Sequence, residues 1–363
     1  MANSRNKDRQ ERRSKRADGK DTPRKKGPIR EWLDAMVFAI VVMVVLRVLF
    51  FDLFRIPTPS MEKSLLVGDY LFVSKVHYGT RTPMTLGIPF TGIWLPGVEL
   101  PWTRLPGFTD VDRGDAIVFN WPDDEVEIID RRMHYIKRVV GLPGETLQIS
   151  DKEVLVNDQV YPRMESMQIY WNVFKSDPRV QLNPASLDDL GVSNLIRTAD
   201  PRVVQIVATQ AAANAIEALP WVESVEPAIV EPNQVYSNNM YPAGMGWTPD
   251  NYGPVTIPAA GQTIALTAES VRMYGLVMTK YEGHTLEESG SDSWLIDGRP
   301  AETYTFEQDY FFVMGDNRDN SEDSRFWGFV PMDHVVGKAL VVYFSWDKVA
   351  KLPRFSRILS SIK

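Results

Sequence analysis

Tyr135-Ile136-Lys137-Arg138-Val139-Val140-Gly141-Leu142-Pro143-Gly144-Glu145 is the stretch that decides the fold. Successive side chains of a strand point to opposite faces, so Tyr135, Lys137 and Val139 share one face while Ile136 and Arg138 share the other. Similar short runs rich in Val, Ile, Phe and Tyr recur on both sides: Tyr70 to Val73, Ala116 to Phe119, Thr146 to Ile149, Val154 to Val156, Tyr310 to Val313 and Ala339 to Phe344. Gly, Pro and Asp turns separate them, the pattern of an antiparallel, β-rich domain with hairpins. Turns at Asn157-Asp158 and Asp297-Gly298 come after the apolar triplets Val154-Leu155-Val156 and Trp294-Leu295-Ile296, a similarity too short to be a repeat.

The middle of the chain changes period. Asp200-Pro201 reads as an N-cap with proline at the first helical position, and an Ala-rich helix runs to Leu219 before Pro220. A second helix is expected from Ala268 to Tyr281, with Ala268, Val271, Gly275 and Met278 on one face. Residues 164–305 therefore read as an α+β insertion that interrupts a β domain of residues 53–163 and 306–346, with a tail at 347–363.

Residues 1–30 carry 12 Lys and Arg against 4 Asp and Glu, leaving 28 basic and 43 acidic residues in the remainder. Such an arm suits nucleic acid, anionic lipid or plain solvation. The adjoining segment decides for lipid: Trp32 to Phe51 is apolar apart from Asp34 and Arg47, long enough to span a bilayer as an anchor at 31–52. The bulky Phe50-Phe51-Asp52-Leu53-Phe54-Arg55 offers no small-residue cleavage site, so the anchor is expected to stay uncleaved. Basic residues collect on the cytoplasmic side, which predicts a single pass with the N-terminus inside and everything after Phe51 exported. The chain has no cysteine, excluding disulfides and thiolate chemistry. His77, His134, His284 and His334 show no metal-ligand spacing, and no cofactor or metal is expected.

Three blocks could carry chemistry. Ile56-Pro57-Thr58-Pro59-Ser60-Met61 pins a hydroxyl between constrained residues, although a serine in a Pro-rich turn is usually only a turn residue. A serine attacks poorly without a base, and a lysine can serve if burial lowers its pKa. That singles out Lys137, against the ordinary reading of a solvent-facing strand lysine. The third block, Met314-Gly315-Asp316-Asn317-Arg318-Asp319-Asn320-Ser321-Glu322-Asp323-Ser324-Arg325-Phe326-Trp327-Gly328-Phe329-Val330-Pro331, predicts a tight hydrogen-bonded loop in which Arg318 and Arg325 fork onto carboxylates. Its acidic spacing does not fit a Ca²⁺ loop.

In this order, behind an N-terminal anchor, the blocks resemble bacterial type I signal peptidases, a Ser/Lys protease family. The resemblance covers Arg55 to Val73, Arg113 to Phe119, Tyr135 to Gly144 and Tyr310 to Gly337, and leaves the insertion and the tail outside. It implies a mainly β catalytic domain, Ser60 as nucleophile and Lys137 as general base. Thr58 and the Ser60 N–H would form the oxyanion hole, Ser321 would hydrogen-bond and orient the lysine, and Tyr135 would be its aromatic neighbour. Asp323 and Arg325 match a structural ion pair; Ile56, Pro57, Met61, Leu65 and Ile136 match a shallow pocket for small side chains. Gly68-Asp69 and Arg113-Gly114-Asp115 match scaffold turns. Two departures stand out: Pro59 replaces a frequent Gly, and Lys63-Ser64 replaces a frequent Pro-Thr.

The implied activity is removal of N-terminal signal peptides from exported preproteins at the inner membrane, with the catalytic domain on the periplasmic side. Its partners would be signal peptides, the lipid bilayer and the secretion machinery, with no nucleic acid. A self-cleaving Ser/Lys repressor conflicts with the anchor. An inactive envelope scaffold of the same fold is the alternative from another class.

Overall fold

The computed structural model describes residues 27–88, 93–126, 128–180, 182–290 and 293–362, so the basic arm up to residue 26 lies outside the described residues. Two units divide the chain, Met1–Leu46 and Arg47–Lys363. Helix α1 (Pro28–Leu49) starts with proline at its first position, where the missing N–H is no loss. Its 22 residues have a mean hydropathy of 2.4 over the most apolar window. At ~1.5 Å per residue that is enough for a hydrocarbon core of ~30 Å. The helix ends two residues before the apolar stretch does. Phe51 instead opens strand β1 (Phe51–Arg55), whose backbone pairs with β2 (Asp69–Ser74) from Phe51↔Ser74 to Arg55↔Tyr70.

In the second unit the later elements are β3 (Ala116–Asn120), β4 (His134–Gly141), β5 (Thr146–Ser150), β6 (Glu153–Val156), β7 (Gln168–Lys175), β8 (Asn194–Arg197), β9 (Val203–Thr209), α2 (Gln210–Glu217), β10 (Val222–Pro227), β11 (Tyr252–Thr256), α3 (Ala268–Leu276), β12 (Tyr310–Met314), β13 (Val330–Pro331) and β14 (Val335–Asp347). The main sheet is antiparallel, in the order β1-β2-β14-β3-β4-β12-β13, with Leu352–Pro353 and Ser360–Ser361 also pairing with β14. The C-terminal tail thus folds back onto the sheet.

The stretch from Tyr135 alternates as its sequence demands. Val139 packs with Ile117, Phe119 and Val313 on one face, joined by Tyr135. On the other face Ile136 meets Val118, Ile56, Met61 and Leu65. Register fixes this, pairing Ile117 with Lys137 and Phe119 with Tyr135 across β3 and β4. Burying each such apolar side chain contributes about 1.5–3 kcal/mol, so sliding the register by one residue would forfeit both faces.

Residues 164–305 split into two pieces. The first is a four-stranded sheet, β8-β9-β7-β10, packed with α2 around its own core of Ile169, Trp171, Val173, Ile206, Ala213 and Ile216. In the second, β11 pairs with β5, and α3 packs Met273 against Val140, Leu147 and Phe312 of the main body.

The helix expected over 201–219 is half strand. Val203-Val204-Gln205-Ile206-Val207 is a β-branched run that pairs with β7, and Asp200 instead closes a turn by accepting the Arg202 N–H at 2.7 Å. The helix begins only after Thr209, whose hydroxyl accepts the Ala212 N–H at 3.3 Å. The second helix forms at Ala268 with a Thr267–Ser270 capping box, and a π-helical turn carries it to Tyr281. Its buried face is Met273, Val277, Met278 and Tyr281; Ala268 is exposed. The larger side chains took the core face. Both hairpin turns form as read, with Asn157 and Asp158 at φ 51° and 63°, and Asp297 and Gly298 at φ 51° and 72°.

Candidate active site

Beyond β1, Ile56 is buried, and Pro57-Thr58-Pro59 leads Ser60 into a tight turn closed by Glu62 N–H to the Pro59 carbonyl at 3.0 Å. Met61 and Leu65 are completely buried in the core beneath, which fixes the turn from below. From the other side Asn317 holds it, donating its N–H to the Ser60 carbonyl at 3.0 Å and Nδ2 to the Pro59 carbonyl at 3.2 Å. Among the described residues the Ser60 N–H has no backbone acceptor.

Lys137 reaches this hydroxyl from β4: Nζ donates to Ser60 Oγ at 2.8 Å. Both residues are nearly closed off, with 8% of Ser60 and 4% of Lys137 exposed. Burial lowers the lysine pKa from 10.5 to about 8; Asp323, Glu322 and Asp316 pull it back up, and Arg325 pushes it further down. Desolvation outweighs the three carboxylates. The Tyr135 ring lies 5.5 Å from Nζ and stacks on Trp121 at 5.2 Å, so one side of the amine is walled by aromatic carbon.

The loop opposite is braced by ion pairs. Arg325 forks onto Asp323, Nε to Oδ1 and Nη2 to Oδ2 both at 2.9 Å, and Asp323 also accepts the Gly315 N–H at 3.1 Å. Arg318 does not take the fork expected of it. Its side chain is buried and joins no ion pair among the described residues. Burial lowers its pKa to about 10, with Arg325 adding to the effect. Asp316 pairs instead with Arg138, Nε to Oδ1 at 2.8 Å and Nη2 to Oδ2 at 2.7 Å, because β4 turns Arg138 away from the Lys137 face. Ser64 Oγ donates to the same carboxylate and lies 2.8 Å from Ser166 Oγ. Hence Ser64 supplies a hydroxyl where the family pattern has threonine. Lys63 adopts φ 73°, which proline cannot.

Ser321 is buried close by, but its Oγ makes no hydrogen bond, whereas Lys137 Nζ is directed at Ser60. The expected serine–lysine bond is therefore not formed. Gly315 explains the close packing: a Cβ there would collide with Ser321 Oγ and lie 2.6 Å from the Ser60 carbonyl oxygen. Of the expected pocket residues, Met61 and Leu65 have no exposed surface and form a floor rather than a wall, Ile56 is 3% exposed, and Pro57 and Ile136 remain accessible. Thr58 is exposed one residue before Pro59. Sequence reasoning misses Arg138, Asp316, Asn317 and Ser64 as parts of the site. Asp316 and Asn317 belong to the motif block, but their partners are far away in the chain.

A family model described as signal peptidase, peptidase S26, matches residues 29–195 and 256–346. The match is wider than the four motif blocks and takes in much of 164–305. Signal peptidase I of Haemophilus influenzae is 28% identical, covering 92% of this chain and 76% of that protein. The enzyme of Pseudomonas aeruginosa is 25% identical, covering 88% and 74%, and that of Buchnera aphidicola from Acyrthosiphon pisum 25%, covering 84% and 71%. The chain belongs to the signal peptidase family, peptidase S26. It is accordingly a serine endopeptidase, and its N-terminal apolar helix fits membrane association.

Proposed function

We propose that this protein removes signal peptides from exported preproteins, with Ser60 as nucleophile and Lys137 as general base. The observation that carries the reading is the 2.8 Å contact between Nζ and Oγ in a buried setting that lowers the lysine pKa to about 8. In its neutral form the amine accepts the Ser60 proton along this line while Oγ attacks the scissile carbonyl carbon. The Ser60 N–H and the Thr58 hydroxyl receive the developing oxyanion, each donor contributing about 3 kcal/mol. The ammonium then gives its proton to the leaving amine, the acyl-serine forms, and Lys137 activates water to release it. Tyr135 is assigned to orienting the base, with Ser321 as an uncommitted hydroxyl beside Gly315. Pro57, Ile136 and the edge of Ile56, floored by Met61 and Leu65, make a shallow apolar surface that rejects bulk and suits small residues before the cut.

Residues 53–163 and 306–346 are assigned as the catalytic β domain, and the bilayer as a partner. Exposed Val349, Leu352, Phe355 and Leu359 interleaved with Lys348 and Lys351 support lipid contact beyond the anchor. The basic arm before α1 supports an N-terminus inside and a catalytic domain outside, in the inner membrane, near the secretion machinery.

The test is the pH dependence of precursor cleavage by detergent-solubilised protein. The base works only when neutral, so kcat/KM rises about tenfold per pH unit below the pKa and levels off above about 8. The midpoint is the same for substrates with different leaving groups. A rate that is flat from mildly acid to mildly alkaline pH contradicts the assignment.

A further inference from the structure

Lys152 stands in the tight turn between β5 and β6, in a left-handed conformation with φ 69°, and is only 5% exposed. Its Nζ lies 2.8 Å from Asp250 Oδ1 and 2.6 Å from Asp319 Oδ1. The second oxygen of each carboxylate is also committed: Asp250 Oδ2 accepts the Val230 N–H at 2.8 Å, and Asp319 Oδ2 accepts the Tyr170 N–H at 2.6 Å. Tyr170 lies in β7 and Val230 just beyond β10, two strands that pair within the four-stranded sheet. One ammonium therefore ties that sheet to Asp319.

Asp319 sits on the single turn Arg318–Asn320, between Asn317, which holds the Ser60 carbonyl, and Asp323, which pairs with Arg325. Other bonds run the same way: Gln168 N–H to the Asp316 carbonyl at 2.9 Å, and Arg325 Nη1 to the Pro249 carbonyl at 3.1 Å. Without the ammonium, two buried carboxylates would face each other with only the Arg325 charge nearby, which is already paired with Asp323. The Asp319 carboxylate would keep only the Tyr170 N–H, and the turn would rest on Arg325 Nη2 at the Arg318 carbonyl and on Asn320 N–H at the Asn317 carbonyl, so its hold on the four-stranded sheet would loosen.

We propose that Lys152 is a positioning residue for cleavage, which makes the four-stranded sheet the backing that holds Asn317 and Asp323 in place around Ser60 and Lys137. The proposal rests on the catalytic reading of those two residues given above.

The full chain in detergent is compared with its Lys152→Met variant on one precursor, with Ser60→Ala and Arg179→Ala alongside. Arg179 pairs with Asp177 at the surface and is 89% exposed, so Arg179→Ala should match the parent. Lys152→Met should lose about 10- to 100-fold in kcat, the scale of a small misplacement of reacting groups. KM should stay within about twofold. The midpoint of the pH profile should rise, because a loosened loop admits water to Lys137, whose burial is the main cause of its lowered pKa. If Lys152→Met does not fold, Asp250→Asn keeps the Lys152–Asp319 pair and should give a smaller loss of the same kind. A folded variant that keeps the parental kcat and midpoint, or loses only thermal stability, overturns the proposal. If Ser60→Ala stays active, the catalytic reading itself fails; if it is inactive while Lys152→Met is normal, only the positioning role fails.

Discussion

Ser60→Ala and Lys137→Met each lower cleavage of a signal-peptide-bearing precursor by about 10⁴-fold or more, and combining them lowers it little further. Non-additivity is expected because the two groups act on one proton: without the amine the hydroxyl is not activated, and without the hydroxyl the amine has nothing to activate. Both variants remain folded. Ser60→Ala removes one hydrogen bond from the ammonium, a loss of about 1.5–3 kcal/mol. Lys137→Met moves stability the other way. A lysine whose folded pKa is lowered from 10.5 to about 8 binds its proton more weakly folded than unfolded. It therefore opposes folding by roughly 3 kcal/mol below about pH 8, and the opposition fades as pH rises toward 10.5. Methionine of similar shape removes the penalty, so Lys137→Met is expected to melt above the parent at neutral pH while being inactive. Retained activity in either variant removes that residue from the mechanism.

Asp323→Ala gives the second large effect, on stability. Asp323 and Arg325 are both enclosed, and the carboxylate answers two guanidinium nitrogens and the Gly315 N–H. Removing it strands the Arg325 charge in the protein interior at a cost of about 3–5 kcal/mol. Asp323→Leu with Arg325→Met removes both charges and recovers much of the loss, because it is the unpaired charge that is expensive. Denaturant melts of Asp323→Leu, Arg325→Met and the double variant give the coupling. A double variant no better than the singles would show that packing, not charge, sets the loss.

These interactions are unequally legible in the sequence. The alternation from Tyr135 to Val139 correctly divides the two faces of β4, because both faces are buried and the period is strict. The bidentate pair Arg138–Asp316 and the clamp Lys152–Asp319 join residues 178 and 167 positions apart, and no local signal announces them. The loop's density of Asp, Asn and Ser predicts internal bonding but not which cation answers which carboxylate. Arg318 therefore lacks the expected carboxylate partner, because β4 and the turn after β5 supply the cations instead. The misread segment at Val203–Thr209 has a different cause. Asp200-Pro201 signals a helix start, but the β-branched residues beyond it pair with β7. Tertiary pairing outweighs the local cue. The clustering of Ser60 with Lys137 is readable only through the family resemblance.

The most direct measurement is the titration of the Lys137 side chain itself, monitored by NMR of isotopically labelled lysine in the full chain and assigned with Lys137→Met. The account predicts a midpoint near 8, displaced downward by burial beside Ser60. A midpoint at the ordinary lysine value of 10.5 would leave the hydroxyl without a neutral amine at physiological pH and would contradict it.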